Sequence, residues 1–424
     1  MNYTENVIVP ERTLLVSLDT GEYDAEESLR ELWELAKSGG AEPIATMMQK
    51  RPSPETATCV GSGMVEEIRN FCENNEIELI IFDRELTPTQ IRNLENATDV
   101  RVVDRTMLIL DIFAQRAQSR AGKVQVEAAQ LKYLLPRLTG KGTALSRLGG
   151  GIGTRGPGET KLETDRRHIR RRIEALREQL KKIEVGRHET QRRREKDGTV
   201  TVALVGYTNA GKSTLMNLLT QAGVLAEDKL FATLDPTARA LKLPGGKTVM
   251  LIDTVGLVRR LPHYLVEAFR STLEQAATAD IILNVCDASS SEARTHLDVT
   301  NEILQSLGCG DRPVIPVLNK WDLVGDADSA LHLTGAVRIS ALKNEGIPAL
   351  LQAIEDNLPV KPVDVTALLP FAKTGIAAQL RKAGALVSEE YVPEGLLIHA
   401  RVEPREMALI KPHIVENNSE SENV

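Results

Sequence analysis

Along the first 118 residues the apolar positions switch between two rhythms. RTLLVSL (Arg12–Leu18), EPIATMM (Glu42–Met48) and ELIIF (Glu78–Phe82) are compact apolar runs of the kind that form buried strands. SLRELWELAKSG (Ser28–Gly39) and GMVEEIRNFCENN (Gly63–Asn75) repeat at helical spacing, the first with a glycine stop. TPTQIRNLENA (Thr87–Ala97) opens with a Thr cap and a Pro, a helix-start signal. Strands alternating with helices predict a small parallel α/β domain over residues 1–118. It carries no Gly-rich phosphate signature.

A different rhythm follows over residues 119–198. Val124, Ala128, Leu131, Leu135 and Leu138 are spaced four, three, four and three. Leu162, Ile169, Ile173, Leu176, Leu180 and Ile183 continue the heptad pattern in a second segment. Pro136 disturbs the end of the first. Between them lies TGKGTALSRLGGGIGTRGPGE, with six glycines in Gly149–Gly158. The pattern predicts an antiparallel helical hairpin with a Gly-rich tip. At a rise of 1.5 Å per residue its second helix reaches ~40 Å.

From Thr199 the strand signals return. TVTVALV (Thr199–Val205), KTVMLIDTVG (Lys247–Gly256) and PVIPVLNKWD (Pro313–Asp322) each end a hydrophobic run in a polar motif. VRISAL (Val337–Leu342) closes the series, and the pattern predicts an α/β domain over 199–359. Residues 360–424 predict a small α+β domain. VDVTALLP, GALVSEEY and EGLLIHARV are its strands and AKTGIAAQLRKA (Ala372–Ala383) its helix, with ENNSESENV as a polar, disordered tail.

Charge changes this picture at one place. The 424 residues carry a net charge of −7. Arg137–Asp197 holds 18 Lys and Arg against 9 Asp and Glu, while the rest of the chain holds 34 against 50. A basic island in an acidic chain suggests a local polyanion contact, against the plainer reading of a solvated helix face. Arg166, Arg167, Arg170, Arg171 and Arg172 crowd a helix start, where positive charge opposes the helix dipole. An external anion such as RNA relieves that conflict. Arg147, Arg155 and Lys161 are candidate phosphate contacts, and Gly149, Gly150, Gly151 and Gly156 allow close backbone approach. The competing reading is a flexible linker. No aromatic residue lies in the loop, so shape and phosphate recognition are favoured over base stacking. The four cysteines form no CxxC pair, no secretory leader is recognisable, and no apolar run approaches the ~20 residues of a membrane span. A cytosolic location is expected.

The chemistry sits in GYTNAGKS: Gly206, Tyr207, Thr208, Asn209, Ala210, Gly211, Lys212 and Ser213. It lies between a strand and a helix, which is the context a phosphate-binding loop requires. Lys212 is placed to neutralise terminal phosphates and Ser213 to ligate Mg²⁺. KLFATLDPT (Lys229–Thr237) suits a switch loop. In DTVG, Asp253 can hold Mg²⁺ through water and Gly256 can donate its N–H to a γ-phosphate. In NKWD, Asp322 can accept from guanine N1–H and N2–H₂, with Asn319 and Lys320 bracing the loop. These elements in this order point to GTP.

GYTNAGKS, FATLDPT, DTVGLVRRLPHYLVEAF and NKWD, behind GGGIGTRGPGETKLETDRRHIRRRI, resemble the HflX family of translational GTPases over nearly the whole chain. The resemblance implies a P-loop GTPase domain, preceded by a parallel α/β domain with a helical hairpin and followed by a small α+β domain. It implies binding to the large ribosomal subunit and its rRNA, ribosome-stimulated GTP hydrolysis and splitting of stalled or stress-arrested ribosomes. By match, Ser213 and Thr233 are the Mg²⁺ ligands. The phosphates lie against the P-loop, Phe231, Ala232, Thr233, Leu234 and Asp235, and Asp253, Thr254, Val255 and Gly256. Guanine lies against Asn319, Lys320, Trp321 and Asp322, and Ser340, Ala341 and Leu342. Lys212, Thr233, Gly256 and Asn209 are the expected catalytic group, and Asn209 is the candidate for a potassium ion, against a turn-favouring role. Leu257 stands where Ras-like GTPases keep a water-positioning Gln, so intrinsic turnover is expected to be slow. Leu342 stands where many relatives of this chemistry have a lysine. The expected molecule is a monomer. The rival functions are a large-subunit assembly GTPase, a passive RNA-binding factor with structural GTP, and a nucleotide-driven RNA-unwinding protein.

Overall fold

The computed structural model describes residues 10–138, 161–196, 199–220, 230–231, 237–260, 278–309, 312–325, 333–359, 363–402 and 404–417. The chain forms two compact units. One comprises Met1–Gln191 with Leu225–Pro236 and Thr254–Glu274, and the other Arg192–Val224 with Thr237–Asp253 and Gln275–Val424.

The first unit opens with β1 (Arg12–Asp19), α1 (Ala25–Ser38), β2 (Glu42–Lys50), α2 (Ser62–Asn75), β3 (Leu79–Phe82), α3 (Pro88–Thr98), β4 (Arg101–Asp104) and α4 (Arg105–Arg116). The strands form a parallel sheet in the order β2-β1-β3-β4. Each of β1 and β3 is buried on both faces, as their unbroken apolar runs require. Helix starts are capped: Asp24 accepts from Glu27 N, and Thr87 and Gln90 form a capping box with Pro88 at the first turn. β4 and α4 escaped the sequence reading. RVVD is only four residues long, and Asp104 both ends the strand and caps α4 by accepting from Met107 N, so no loop separates them.

α5 (Arg120–Leu134) and α6 (Lys161–Lys196) form the hairpin. Val124, Ala128, Leu131, Leu138, Ile169, Ile173 and Leu176 make one buried cluster, with Leu135 and Leu180 packed on it. Arg166 reaches Leu138 O and Arg172 reaches Glu127, so the helices run antiparallel. At 36 residues α6 spans about 54 Å, longer than its heptads alone indicated. The base of the hairpin is tied to the sheet. Tyr133 donates to Asp104, and Arg137 stacks on the Tyr133 ring at 3.5 Å while donating to Glu85 (2.9 Å) and Leu86 O (3.0 Å). Arg137, counted in the basic island, is thus a structural cation.

The second unit carries β5 (Thr201–Gly206), α7 (Lys212–Thr220), β6 (Thr237–Lys242), β7 (Thr248–Asp253), β8 (Ile281–Asp287), α8 (Ala293–Ser306), β9 (Val314–Asn319), β10 (Val337–Arg338) and α9 (Ile347–Asp356). Its sheet has the order β10-β9-β8-β5-β7-β6, parallel except for the β6–β7 pair. β10 is shorter than VRISAL suggested. Ser340 instead exchanges backbone bonds with Glu345, which turns the chain. β11 (Val363–Leu369), α10 (Gly375–Ala383), β12 (Leu386–Val392), β13 (Gly395–Val402), α11 (Pro404–Ile410) and β14 (Ile414–Asn417) follow. They form an antiparallel sheet β12-β13-β11-β14 over a core of Val365, Ala367, Leu369, Leu380 and Ile398. β14 corrects the expected start of the polar tail, because Glu416 and Asn417 pair with Thr366 and Val365. The four cysteines are free, buried thiols, and burial pushes Cys72 up to about 11 and Cys286 up to about 12.

Candidate nucleotide-binding site

β5 delivers the chain into Gly206–Ser213, and α7 begins at Lys212. The loop's glycines answer to the protein around them. Gly206 has φ +150°, and a Cβ there would stand 2.0 Å from Val285 O of β8. Gly211 has φ +89°, and its Cβ would stand 2.2 Å from Asn319 Nδ2. Asn209 has φ +59°, a left-handed conformation that asparagine tolerates. Its turn-favouring role is therefore visible, whatever else it does.

Lys212 folds back over the loop, and its Nζ donates to Gly206 O at 2.9 Å and Tyr207 O at 2.7 Å. Burial pushes its pKa down to about 8, opposed by the Asp253 carboxylate. Ser213 Oγ donates to Asp253 Oδ2 at 2.9 Å, and Asp253 is fully buried at the end of β7. A hydroxyl and a carboxylate oxygen side by side are the hard donors that Mg²⁺ takes, so the residues fit that ion. Tyr207 stacks on His296 of α8, with ring centroids 3.9 Å apart and planes at 15°.

Asn319, the last residue of β9, joins the phosphate loop to the base loop. Its Nδ2 donates to Ala210 O at 2.8 Å, and its Oδ1 accepts from Ala341 N at 3.0 Å. Lys320 has φ +59° and pairs with Asp287 at 2.8 Å. Trp321 N donates to Ile339 O at 3.0 Å, and Arg338 lies 4.5 Å from the Trp321 ring. The Asp322 carboxylate is held below its ordinary pKa, first by a hydrogen bond from Ser340 and further by Lys343. Leu342 is 83% exposed. Gly206–Ser213, Asp253, Asn319–Asp322 and Ser340–Leu342 thus assemble within one unit.

Other expected residues lie elsewhere. Phe231 and Thr254, Val255 and Gly256 belong to the first unit. The Phe231 ring is buried edge-on to Phe113, centroids 4.6 Å apart, and Leu230 N donates to Ser38 Oγ at 3.0 Å. Leu257 is buried and has no group that can orient water. Ala232, Thr233, Leu234 and Asp235 lie outside the described residues, as do Arg147, Gly149, Gly150, Gly151, Arg155 and Gly156, and the Lys161 side chain. Arg167, Arg170 and Arg171 are exposed on α6. Arg166 is half-buried on Leu138 O, and Arg172 makes two bonds to Glu127. Those last two answer part of the crowded charge within the protein. Asp287, His296 and Lys343 were missed. Asp287 offered a signal, since it ends a strand in the same way as Asp253 and Asn319.

Three family models match the chain. "GTP-binding GTPase N-terminal" covers residues 26–114, "GTP-binding GTPase Middle Region" 116–194 and "50S ribosome-binding GTPase" 201–320. The GTPase HflX of Caldanaerobacter subterraneus subsp. tengcongensis is 50% identical over 392 residues, 92% of this chain and 91% of that protein. The GTPase HflX of Escherichia coli (strain K12) is 39% identical over 390 residues, 91% of this chain and 92% of its own. A GTP-binding protein from the archaeon Sulfolobus solfataricus, solved in complex with GDP, is 25% identical over 82% of this chain and 98% of that chain, with a TM-score of 0.45. With half of its residues shared across nine-tenths of a GTPase HflX, and with a phosphate loop joined to a guanine-type loop through Asn319, this chain belongs to the HflX family and is a GTP-hydrolysing enzyme.

Proposed function

We propose that this GTPase binds the large ribosomal subunit through its hairpin and splits stalled or stress-arrested ribosomes. The observation that carries the reading is the exposed Arg167, Arg170 and Arg171 face of α6, directly after the Gly-rich basic segment, in a chain that is otherwise acidic. rRNA is the polyanion such a surface suits. The matching GTPase-domain family is itself described as ribosome-binding. Within the nucleotide site, Lys212 carries charge to the terminal phosphates, and its present partners are carbonyls of the same loop. Ser213 and Thr233, with Asp253 behind, would hold Mg²⁺, which when bound would neutralise charge at the phosphates. Gly256 donates its N–H to the γ-phosphate. Asp322 reads guanine, with Asn319, Lys320, Trp321, Ser340, Ala341 and Leu342 shaping the base pocket. Leu257 leaves water unoriented, so turnover is slow until the ribosome supplies the missing group. The enzyme works as a cytoplasmic monomer; among the described residues no helix is long and apolar enough to cross a membrane.

Sedimentation of joined ribosomes with the protein and GTP tests this reading. Separate subunit peaks, absent with GDP, are the expected result. Binding to immature large subunits alone, with joined ribosomes left intact, would replace it with an assembly role.

A further inference from the structure

The first sheet has one crevice where its connections part. From β1 the sheet extends to β2 on one side and to β3 on the other. The carboxyl ends of two such strands are where open parallel sheets hold ligands. Here the chain itself supplies the occupant. Arg260 comes three residues after Leu257, and its guanidinium lies 3.7 Å from the Tyr23 ring centroid, just beyond β1. Its Nη2 donates to Asp83 Oδ2 at 2.7 Å, to Asp83 O at 3.2 Å and to Ser28 Oγ of α1.

Asp83 directly follows β3, and its side chain is fully buried. Its other carboxylate oxygen accepts from Arg105 Nη1 at 2.9 Å. Arg105 also bonds Glu31 and donates to Arg259 O at 3.2 Å. Two consecutive residues, Arg259 and Arg260, are therefore gripped, one by its carbonyl and one by its side chain. Arg260 has φ +47°, a left-handed conformation that arginine adopts only when its surroundings over-determine it.

We infer that Arg260 and Asp83 are positioning residues for GTP hydrolysis, with the crevice acting as a guanidinium receptor for the chain's own segment. Six residues, Thr254–Arg259, separate Asp253, bonded to Ser213, from Arg260 in its crevice. Gly256 and Leu257 lie in that short span, so fixing its far end limits where the Gly256 N–H can point. A preorganised donor acts on the transition state without reorganisation. This rests on the reading of Gly256 as the γ-phosphate donor.

The test uses the full-length Arg260→Ala and Arg260→Lys variants in GTP turnover, with GDP affinity measured beside it. The Arg260 side chain is 29% exposed, so its truncation leaves the core filled. Misplacing the donor should lower kcat by roughly tenfold to a hundredfold. GDP affinity should hold within about twofold, because GDP lacks the γ-phosphate that the Gly256 N–H meets. Guanidinium chloride at millimolar concentration, far below the denaturing range, should restore much of the Ala variant's rate, while sodium chloride should not. The Lys variant should stay slow, since a compact ammonium cannot lie over the Tyr23 ring while also reaching Asp83 and Ser28. Unchanged or faster turnover in Arg260→Ala, or a loss that guanidinium does not relieve, would overturn the inference. Gly256→Pro, which removes the backbone N–H, separates the two layers. Normal hydrolysis by that variant removes the Gly256 reading and the inference with it, whereas an impaired Gly256→Pro beside a normal Arg260→Ala removes the inference alone.

Discussion

Lys343 Nζ stands 3.6 Å from Asp322 Oδ2, one residue past the exposed Leu342. The side chain of Asp322 is 6% exposed and that of Lys343 54%, so the carboxylate is held from the solvent side while Leu342 projects freely. Asp322 stays ionised across the physiological range because Ser340 and Lys343 both hold its pKa down. Asp322→Asn should weaken GTP by about 1.5–3 kcal/mol and shift preference toward xanthine nucleotides. Lys343→Ala, removing a half-exposed partner, should cost less than about 1 kcal/mol. Calorimetric titration with both nucleotides checks this, and unchanged GTP affinity in Asp322→Asn would remove the guanine assignment.

Asn319 bonds both loops from one amide, so its loss should strike phosphate and base recognition together. Asn319→Ala leaves Ala210 O and Ala341 N without this partner, at about 1–3 kcal/mol each. GTP and GDP should weaken in parallel in equilibrium binding. Unchanged affinity for both would show that the Asn319 bonds do not hold the two loops.

Much of this site was legible because its parts are local. GYTNAGKS, DTVG and NKWD each follow an apolar run, and β5, β7 and β9 do end at those motifs. The heptad spacing named the hairpin core, since Val124 to Leu176 share one cluster. What could not be read were relationships across long sequence separations. Nothing near Arg260 announces that Asp83, Ser28 and Tyr23 will surround it. Gly211 looked like a concession to phosphate, yet the group that fills its Cβ position is Asn319. β4 was hidden by its brevity and α4 by sharing its cap with the strand end. The partners of Arg166 and Arg172, Leu138 O and Glu127, also come from the other hairpin helix and could not be read from the sequence.

Asp111 gives the first unit a pH dependence. Burial raises its pKa to about 6, with Arg101 and the hydrogen bond from Gln130 opposing. A carboxyl raised on folding holds its proton more tightly in the folded state. Its advantage is complete below the ordinary carboxylate range and is lost as pH climbs through about 6. Stability should therefore fall by about 1–3 kcal/mol between pH 4 and pH 7 through this group. Asp111→Asn keeps an acceptor for Gln130 and should raise the melting temperature at pH 7 but not at pH 4. Equal shifts at both pH values would count against the assignment.

Asn209 adds a cation prediction. A potassium ion beside the β- and γ-phosphates would supply part of the charge an arginine finger brings elsewhere. Turnover should be faster in potassium than in sodium, and Asn209→Ala should erase the difference. Equal rates for the unaltered protein in the two salts would leave Asn209 its left-handed turn alone.

Deletion of Gly149–Gly158 tests the central claim most directly, because in the sequence those residues lie between the two helices of the basic hairpin and outside the phosphate and guanine motifs. The decisive measurement is pelleting of the deleted protein with large ribosomal subunits in a non-hydrolysable GTP analogue. The account predicts intact affinity for the analogue, a protein left in the supernatant, and loss of both ribosome-stimulated hydrolysis and splitting. Full co-sedimentation with splitting preserved would mean that the segment is only a linker, and would contradict the account.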